Sequence, residues 1–123
     1  MTTIALVDDE NSIRTSVSLA LESEGFKVDV FQNGIEALEA FGSKTYDLGL
    51  FDIKMPKMDG NELLEKVRSS KIEYLKEMPI IFLTSKDQEQ DEIIGLRMGA
   101  ADYITKPFSQ KLLNERIRTV LRV

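Results

Sequence analysis

The chain has 123 residues, enough for one domain with a single hydrophobic core, and it contains no cysteine and no histidine. These two absences exclude disulfides, thiolate chemistry and any serine–histidine–aspartate triad, so carboxylates, hydroxyls and lysines must carry any chemistry. The net charge of −5 disfavours binding to a nucleic-acid backbone. No apolar run reaches the ~20 residues of a membrane span, and the N-terminus does not have the pattern of a signal sequence.

The first third of the chain predicts two strand–helix units. An apolar run at 4–7 is followed by apolar residues with helical spacing within 13–21, and Gly25 stands where such a helix would end. The run at 28–31 alternates in part, as expected for a strand near a sheet edge. The pair at 35 and 38 marks a second, shorter helix.

A third unit follows in the middle of the chain. The run at 48–51 is continuous and apolar, which is typical of a parallel strand buried on both faces. Asp59 with Glu62 three residues later indicates a helix N-cap, and the apolar residues at 64 and 67 continue that helix. The polar stretch at 69–77 is expected to be the longest loop or a frayed helix end.

The last part of the chain predicts two further units. A continuous apolar run lies at 80–83, residues 94 and 98 have helical spacing, and Gly99 is placed to stop that helix. The weaker run at 103–104 precedes a helical stripe within 113–121. The order strand–helix, repeated five times, predicts one α/β domain over residues 1–123 with right-handed crossovers, a parallel sheet and helices on both faces.

Polar residues stand at the carboxyl ends of the predicted strands. Asp8 and Asp9 follow the first strand, Asp52 follows the third, Thr84 the fourth and Lys106 the fifth. Ligands of open parallel sheets bind at this edge, near the point where the strand order reverses. If the first and third strands are neighbours, the three aspartates converge on one crevice, with Thr84 and Lys106 on its other side.

Three carboxylates in one crevice would repel one another and raise their own pKa values. A divalent cation resolves this conflict, and oxygen ligands without histidine or cysteine favour Mg²⁺. A lysine ammonium and a hydroxyl beside the ion would suit phosphoryl oxygens, and one aspartate could serve as nucleophile. The residues therefore predict Mg²⁺-dependent phosphoryl transfer to an aspartate.

Four motifs resemble those of the receiver domains of two-component response regulators. They are LVDDE at 6–10, FDIKMPKMDG at 51–60, LTSK at 83–86 and GAADYITKPF at 99–108. Each is weak alone, but together, in this order and spacing, they are very specific. The resemblance covers essentially the whole chain and implies a flavodoxin-like (βα)5 fold with strand order 2-1-3-4-5.

The resemblance also implies roles at the acidic crevice. Asp52 would be the phosphoacceptor, Asp9 and Asp52 direct Mg²⁺ ligands, and Asp8 a ligand acting largely through a metal-bound water. The backbone carbonyl of Lys54 would complete the protein's share of the coordination shell. Mg²⁺ is the one cofactor expected.

Further roles are implied on the other side of the crevice. The Thr84 hydroxyl would move toward the phosphoryl group, and the ring of Tyr103 would turn inward behind it. Lys106 would bridge the phosphoryl oxygens, and the peptide bond between Lys106 and Pro107 is expected to be cis. Without the resemblance, Thr84 could simply end a strand, and Tyr103 is as readily a core residue as a switch.

The motifs are most similar to the subgroup of receivers that precede a winged-helix DNA-binding domain. That subgroup dimerises on activation through its fourth helix, fifth strand and fifth helix, where Ile93 and Leu96 would lie and where Asp102 and Arg116 match an inter-subunit ion pair. From the residues alone, Ile93 and Leu96 fit either a helix core or a partner face.

The implied protein is a switch controlled by a partner histidine kinase. It would catalyse only its own phosphoryl transfer and dephosphorylation, and would control transcription through an output domain rather than bind nucleic acid itself. A cytoplasmic location without membrane contact is expected. The alternative within the family is a stand-alone receiver that acts through protein–protein contacts.

Two other classes of protein are alternatives to a receiver. An aspartyl-phosphate phosphatase of the haloacid dehalogenase type carries Asp-x-Asp at its nucleophile, but Lys54 stands two residues after Asp52. A flavodoxin-like cofactor binder needs a glycine- and hydroxyl-rich phosphate loop after the first strand, whereas this chain has three acids at 8–10. Both are disfavoured by the residues present.

Overall fold

This computed structural model describes residues 1–85 and 89–122, except for the side chains of 89–92. Five strands and five α-helices alternate along these residues. Lys86, the last residue of the motif at 83–86, lies outside the described residues. No helix in the described ranges combines the length and the apolar composition needed to cross a bilayer. The strands are β1 (Thr3–Val7), β2 (Lys27–Phe31), β3 (Leu48–Asp52), β4 (Ile80–Thr84) and β5 (Asp102–Thr105). The helices are α1 (Asn11–Glu22), α2 (Gly34–Ser43), α3 (Gly60–Arg68), α4 (Glu89–Arg97) and α5 (Gln110–Leu121), with a 3₁₀ turn at Glu73–Lys76.

All five strands pair in parallel in the order β2-β1-β3-β4-β5, so the predicted fold class and strand order are confirmed. Every residue of β3 and β4 is buried, and only the first residue of β1 is partly exposed. The edge strands β2 and β5 are more exposed. This difference explains why the central strands read as continuous apolar runs and the β2 strand only as partial alternation.

Two hydrophobic cores lie on opposite faces of the sheet. Along β3, Leu50 belongs to the core with α1 and α5, whereas Phe51 belongs to the core with α2 and α3. Phe41 of α2 stacks on Phe51 with ring centroids 6.2 Å apart. Each fully buried large apolar side chain stabilises the fold by about 1.5–3 kcal/mol relative to its exposed state. The helices therefore cover both faces of the sheet and leave its ends open.

Side-chain caps fix the starts of three helices. The Asp59 carboxylate accepts the Glu62 amide at 2.9 Å, which confirms the cap predicted for α3. Asn33 and Ser109 cap α2 and α5 in the same way. Gly99, just beyond α4, has a φ of 107°, which favours glycine because it has no Cβ.

The stretch at 69–77 is more ordered than the loop expected from the sequence. It contains the 3₁₀ turn, in which Leu75 is buried in the core beside α2 and α3. The Tyr74 hydroxyl lies 2.9 Å from the Phe41 carbonyl oxygen and 2.8 Å from that of Lys44, at the end of α2. Local sequence did not indicate this turn because contacts distant along the chain hold it.

Candidate functional site

The register of β1 and β3 brings the three aspartates together at the carboxyl ends of these strands. Val7 pairs with Phe51 across β1 and β3, so Asp8, which follows β1, lies beside Asp52, the last residue of β3. One carboxylate oxygen from each of Asp8, Asp9 and Asp52 lies within 4.8 Å of the others. The convergence expected from neighbouring first and third strands is therefore present in the folded chain.

The three carboxylates differ in exposure. Asp8 is 0% exposed and Asp52 is 6% exposed, whereas Asp9 faces solvent. Asp9, Glu10, Asp52, Lys54, Ser85 and Lys106 line an open cleft of ≈ 240 Å³. A small anion or a hydrated cation therefore has access to Asp52 from the side on which Asp9 lies.

Hydrogen bonds hold Asp8 at its backbone and at both carboxylate oxygens. Its amide donates to the Phe31 carbonyl of β2 at 3.1 Å, and Oδ1 accepts the Glu10 amide at 2.9 Å. Oδ2 accepts the Lys106 ammonium at 3.0 Å, and the main-chain carbonyl accepts the Arg14 guanidinium at 2.8 Å. Asp8 is therefore held in place by both its main chain and its carboxylate.

Lys106 joins the two buried carboxylates. It follows β5, and its Nζ lies 3.0 Å from Asp8 Oδ2 and 3.4 Å from Asp52 Oδ1. Its amide donates to the Thr84 carbonyl, and the Lys106–Pro107 peptide bond is cis. Burial acts to lower the pKa of the Lys106 ammonium, but the charges of Asp52 and Asp8 outweigh burial and raise it. Lys106 therefore stays charged at neutral pH.

The pKa of Asp52 is raised from its ordinary 3.8 to about 7. Burial of the carboxylate is the largest cause, and the negative charge of Asp8 adds to it, while the charge of Lys106 acts in the opposite direction. One lysine thus compensates only part of the repulsion among the carboxylates. A second source of positive charge is needed to keep Asp52 fully ionised at neutral pH.

A divalent cation fits this requirement. The donors are carboxylate oxygens close enough to share one ion, and hard ions such as Mg²⁺ prefer oxygen ligands while retaining several waters. The open side of the cleft, next to the exposed Asp9, leaves room for those waters. The residues present therefore suit Mg²⁺, with Asp8, Asp9 and Asp52 as the groups that would hold it.

Thr84 lies at the end of β4 and is 1% exposed. Its hydroxyl lies 3.1 Å from the Ser85 carbonyl oxygen, to which it donates. Ser85 and Lys54 line the cleft with the acids. The predicted role of the Lys54 carbonyl as a metal ligand stays a prediction.

Gly60 brings α3 against the backbone that carries Asp52. Its amide donates to the Ile53 carbonyl at 2.8 Å. A Cβ at this position would lie 2.5 Å from the Asp52 carbonyl oxygen and 2.9 Å from the Cα of Ile53. Only glycine permits this approach, so α3 fixes the segment that presents the candidate acceptor.

The family follows from comparison with known proteins. The sequence profile of the response regulator receiver domain matches residues 4–118. This chain is a response regulator receiver domain. The resemblance found in the four motifs is thereby confirmed.

Two curated relatives are similar to this chain over nearly its whole length. PhoP of Bacillus subtilis (strain 168), an alkaline phosphatase synthesis transcriptional regulatory protein, is 41% identical over 97% of this chain and 48% of its own length. The sensory transduction protein RegX3 of Mycobacterium tuberculosis (strain H37Rv) is 37% identical over 99% of this chain and 52% of its own. The chain therefore spans about half the length of the curated relatives it matches.

Solved structures support the same fold. The chemotaxis response regulator CheY4 of Vibrio cholerae has a TM-score of 0.90 and 32% identity, and the match covers 98% of each chain. A response regulator of Chloroflexus aurantiacus has a TM-score of 0.91 and 31% identity, covering 98% of this chain and 97% of its own. Both agree with the strand order of this receiver domain.

The four residues named for the predicted dimer face of the receiver domain do not line the cleft. Ile93 and Leu96 of α4 are 38% and 42% exposed, so neither is a core residue. Arg116 Nη1 of α5 lies 2.8 Å from Asp102 Oδ2 of β5 within the same chain. Tyr103 is half-buried and packs against the core with α2 and α3.

Two site residues of the receiver domain were not predicted from the sequence. Arg14 contacts the backbone of Asp8, and Gly60 contacts that of Asp52. The sequence does contain a signal for Arg14. A cation near a helix N-terminus interacts unfavourably with the helix dipole, so another contact is expected to stabilise it there. Gly60 carries no such signal, since glycine also commonly occurs beside helix caps.

Proposed function

We propose that this receiver domain is a phosphorylation switch of a two-component response regulator. Asp52 accepts a phosphoryl group from a partner histidine kinase with Mg²⁺, and the change controls a transcription-regulating output by dimerisation. The observation that carries the proposal is the meeting of Asp8, Asp9 and Asp52 with Lys106 in one cleft.

The reaction transfers a phosphoryl group from one nucleophile to another. An Asp52 carboxylate oxygen attacks phosphorus while the bond from phosphorus to the donor's imidazole nitrogen breaks, and its electron pair stays on that nitrogen, which takes a proton from solvent. The product on the chain is an acyl phosphate. Asp9, Asp52 and the Lys54 carbonyl would hold Mg²⁺, with Asp8 acting largely through water, and the ion would neutralise charge on the phosphoryl oxygens.

The chain's own residues position the new group. Lys106 lies between Asp8 and Asp52 and is placed to pair with a phosphoryl oxygen. The Thr84 hydroxyl is proposed to donate to another oxygen, and Tyr103 to turn inward after it. The phosphoryl group carries about −1.5 to −2 charge in place of the single negative charge of the carboxylate, and this change biases a two-state equilibrium of the face formed by α4, β5 and α5.

Labelling of the wild-type chain by acetyl phosphate tests the proposal. With Mg²⁺, intact mass spectrometry should show a single adduct of about 80 Da, the mass of one phosphoryl group. Removing Mg²⁺ with a chelator should abolish the adduct, because the clustered charges then oppose an incoming anion. An adduct of equal size in the chelator would contradict a metal-dependent acceptor.

The exposed α4–β5–α5 face supports homodimerisation on activation. Ile93 and Leu96 present apolar surface beside the charged pair of Asp102 and Arg116. Because that pair closes within one chain, a dimer of the subgroup's type would exchange it, each Asp102 pairing with Arg116 of the other copy. The relatives named as transcriptional regulators support an output that acts on transcription.

A charge-reversal mixture tests this exchange. Asp102→Arg alone and Arg116→Asp alone should each fail to dimerise with acetyl phosphate and Mg²⁺, because two like-charged contacts form in each homodimer. An equimolar mixture restores two opposite-charged contacts, so its dimer should be at least about tenfold tighter than either variant alone. Analytical ultracentrifugation gives the three dissociation constants.

The matched control is the Glu24–Arg118 pair, which is also intrachain, with 3.1 Å between Nη2 and Oε1. Mixing Glu24→Arg with Arg118→Glu should give no gain over the single variants, since Arg118, although it belongs to α5, pairs with Glu24 and lies over the Phe26 ring rather than beside Asp102. A mixture of the 102 and 116 variants no tighter than its components would show that each pair stays within its own chain.

A further inference from the structure

Arg14 lies at the start of α1 and holds the turn that leads from β1 into that helix. Its Nη1 donates to the Asp8 main-chain carbonyl at 2.8 Å, and its Nη2 lies 3.3 Å from Asn11 Oδ1. The side chain is half-buried. Both acceptors are uncharged, so these two hydrogen bonds hold the turn in place and are not ion pairs.

The dipole of α1 disfavours a cation at this position. The first turn of α1, which the structure describes in full, carries no acidic residue, and its N-cap residue Glu10 makes no side-chain capping bond. Exposed amides make the helix N-terminus positive, so a nearby arginine is disfavoured there. The hydrogen bond to the Asp8 carbonyl offsets the unfavourable interaction of Arg14 with the helix dipole.

Asp8 and Asp9 depend on this turn for their placement. The other contacts of Asp8 with Lys106 and with the Glu10 amide involve its carboxylate, and these oxygens are the ones that would face an ion. The Arg14 contact and the amide bond to Phe31 instead fix the main chain. These two contacts do not involve the carboxylate.

We infer that Arg14 is a positioning residue for Mg²⁺ binding, holding the β1–α1 turn so that Asp8 and Asp9 are pre-aligned for the ion. This inference rests on the proposed function. Groups that orient metal ligands from outside the coordination shell commonly change metal affinity by about 10–100-fold when removed.

Charge and positioning predict opposite results for one substitution. Removing a cation near the carboxylates strengthens Mg²⁺ binding if Arg14 acts only through its charge, and salt screens that effect. Removing a positioning group weakens binding, and salt changes this little. Arg14→Ala therefore separates the two roles by the direction of the change in Kd.

The test is a Mg²⁺ titration of the full chain followed by amide NMR. We expect Arg14→Ala to raise the Kd by about tenfold at both ~0.05 M and ~0.5 M salt. Arg14→Lys, which keeps a donor on a long stem, should recover most of the affinity. In the metal-free protein, the Glu10 amide should exchange faster in Arg14→Ala, because the turn is looser.

Arg118→Ala is the matched control, since Arg118 pairs with Glu24 and lies over the Phe26 ring, away from the cleft; its Kd should equal that of the wild type. An Arg14→Ala Kd equal to or below the wild-type value would overturn the inference alone. So would an Arg14→Lys Kd no better than that of Arg14→Ala. A wild-type chain that binds no Mg²⁺ would overturn the proposed function as well.

Discussion

Asp52→Asn is expected to abolish phosphoryl uptake from acetyl phosphate in the presence of Mg²⁺. The amide has nearly the shape of the carboxylate but lacks its nucleophilic charge, and an acyl phosphate cannot form on it. Asp52 is the last residue of β3 and is buried beside the Lys106 ammonium. We expect a fall of at least about a hundredfold in the labelled fraction, read by intact mass.

Asp59→Asn supplies the matched control for this loss. Asp59 lies seven positions further along the chain and caps α3 through its carboxylate, and asparagine caps helices about as well as aspartate. This variant should take up the phosphoryl group as the wild type does. Persistent stoichiometric labelling of Asp52→Asn would refute the assignment of the acceptor.

The second large effect is on the pH dependence of stability without metal. In the folded chain the pKa of Asp52 is about 7, against an ordinary 3.8. The folded state therefore binds more protons than the unfolded state between about pH 4 and pH 7, and the free energy of unfolding falls as the pH rises through that window. Below about pH 4, Asp52 is protonated in both the folded and the unfolded state, so its titration does not change the free energy of unfolding.

The size of this effect follows from the shift. One pKa unit corresponds to about 1.4 kcal/mol, so with the rise from 3.8 to about 7 the ionised Asp52 destabilises the metal-free fold by about 4 kcal/mol near pH 8. Asp52→Asn removes the titrating group and should be more stable than the wild type by that amount near pH 8 and about equally stable near pH 4. Urea unfolding in a chelator, at several pH values, measures both chains.

Two controls separate Asp52 from other groups. Asp59→Asn should keep the wild-type pH dependence, because Asp59 caps a helix outside the cleft. Saturating Mg²⁺ should stabilise the wild type most at high pH, where Asp52 is ionised, and should stabilise Asp52→Asn less. Equal free energies of unfolding for Asp52→Asn and the wild type near pH 8 would contradict the conclusion that ionised Asp52 destabilises the metal-free fold.

Much of the fold was predictable because the local pattern and the tertiary environment agree. The strands at 48–51 and 80–83 are buried on both faces, and their continuous apolar runs record that burial directly. The acidic cleft was predictable for a related reason. In a parallel sheet the carboxyl ends of the strands lie at the same end of the sheet, so Asp8, just after β1, and Asp52, the last residue of β3, meet when β1 and β3 are neighbours.

Other features depend on contacts that the sequence does not encode locally. Leu75 is buried only because the chain at 69–77 folds against α2 and α3, so a polar stretch conceals a 3₁₀ turn. Arg14 is on no apolar stripe, and its contact with the Asp8 carbonyl requires the actual path of the β1–α1 turn. Whether Asp102 and Arg116 pair within or between chains is likewise invisible in the sequence.

Reductive trapping of the phosphorylated wild-type chain tests the central proposal most directly. Borohydride reduces an acyl phosphate on aspartate to homoserine, and peptide mass mapping then locates the modified residue. The proposal predicts homoserine at position 52 in a yield that follows the phosphorylated fraction. Homoserine at Asp8 or Asp9 instead, or a fully labelled chain with an unmodified Asp52, would contradict it.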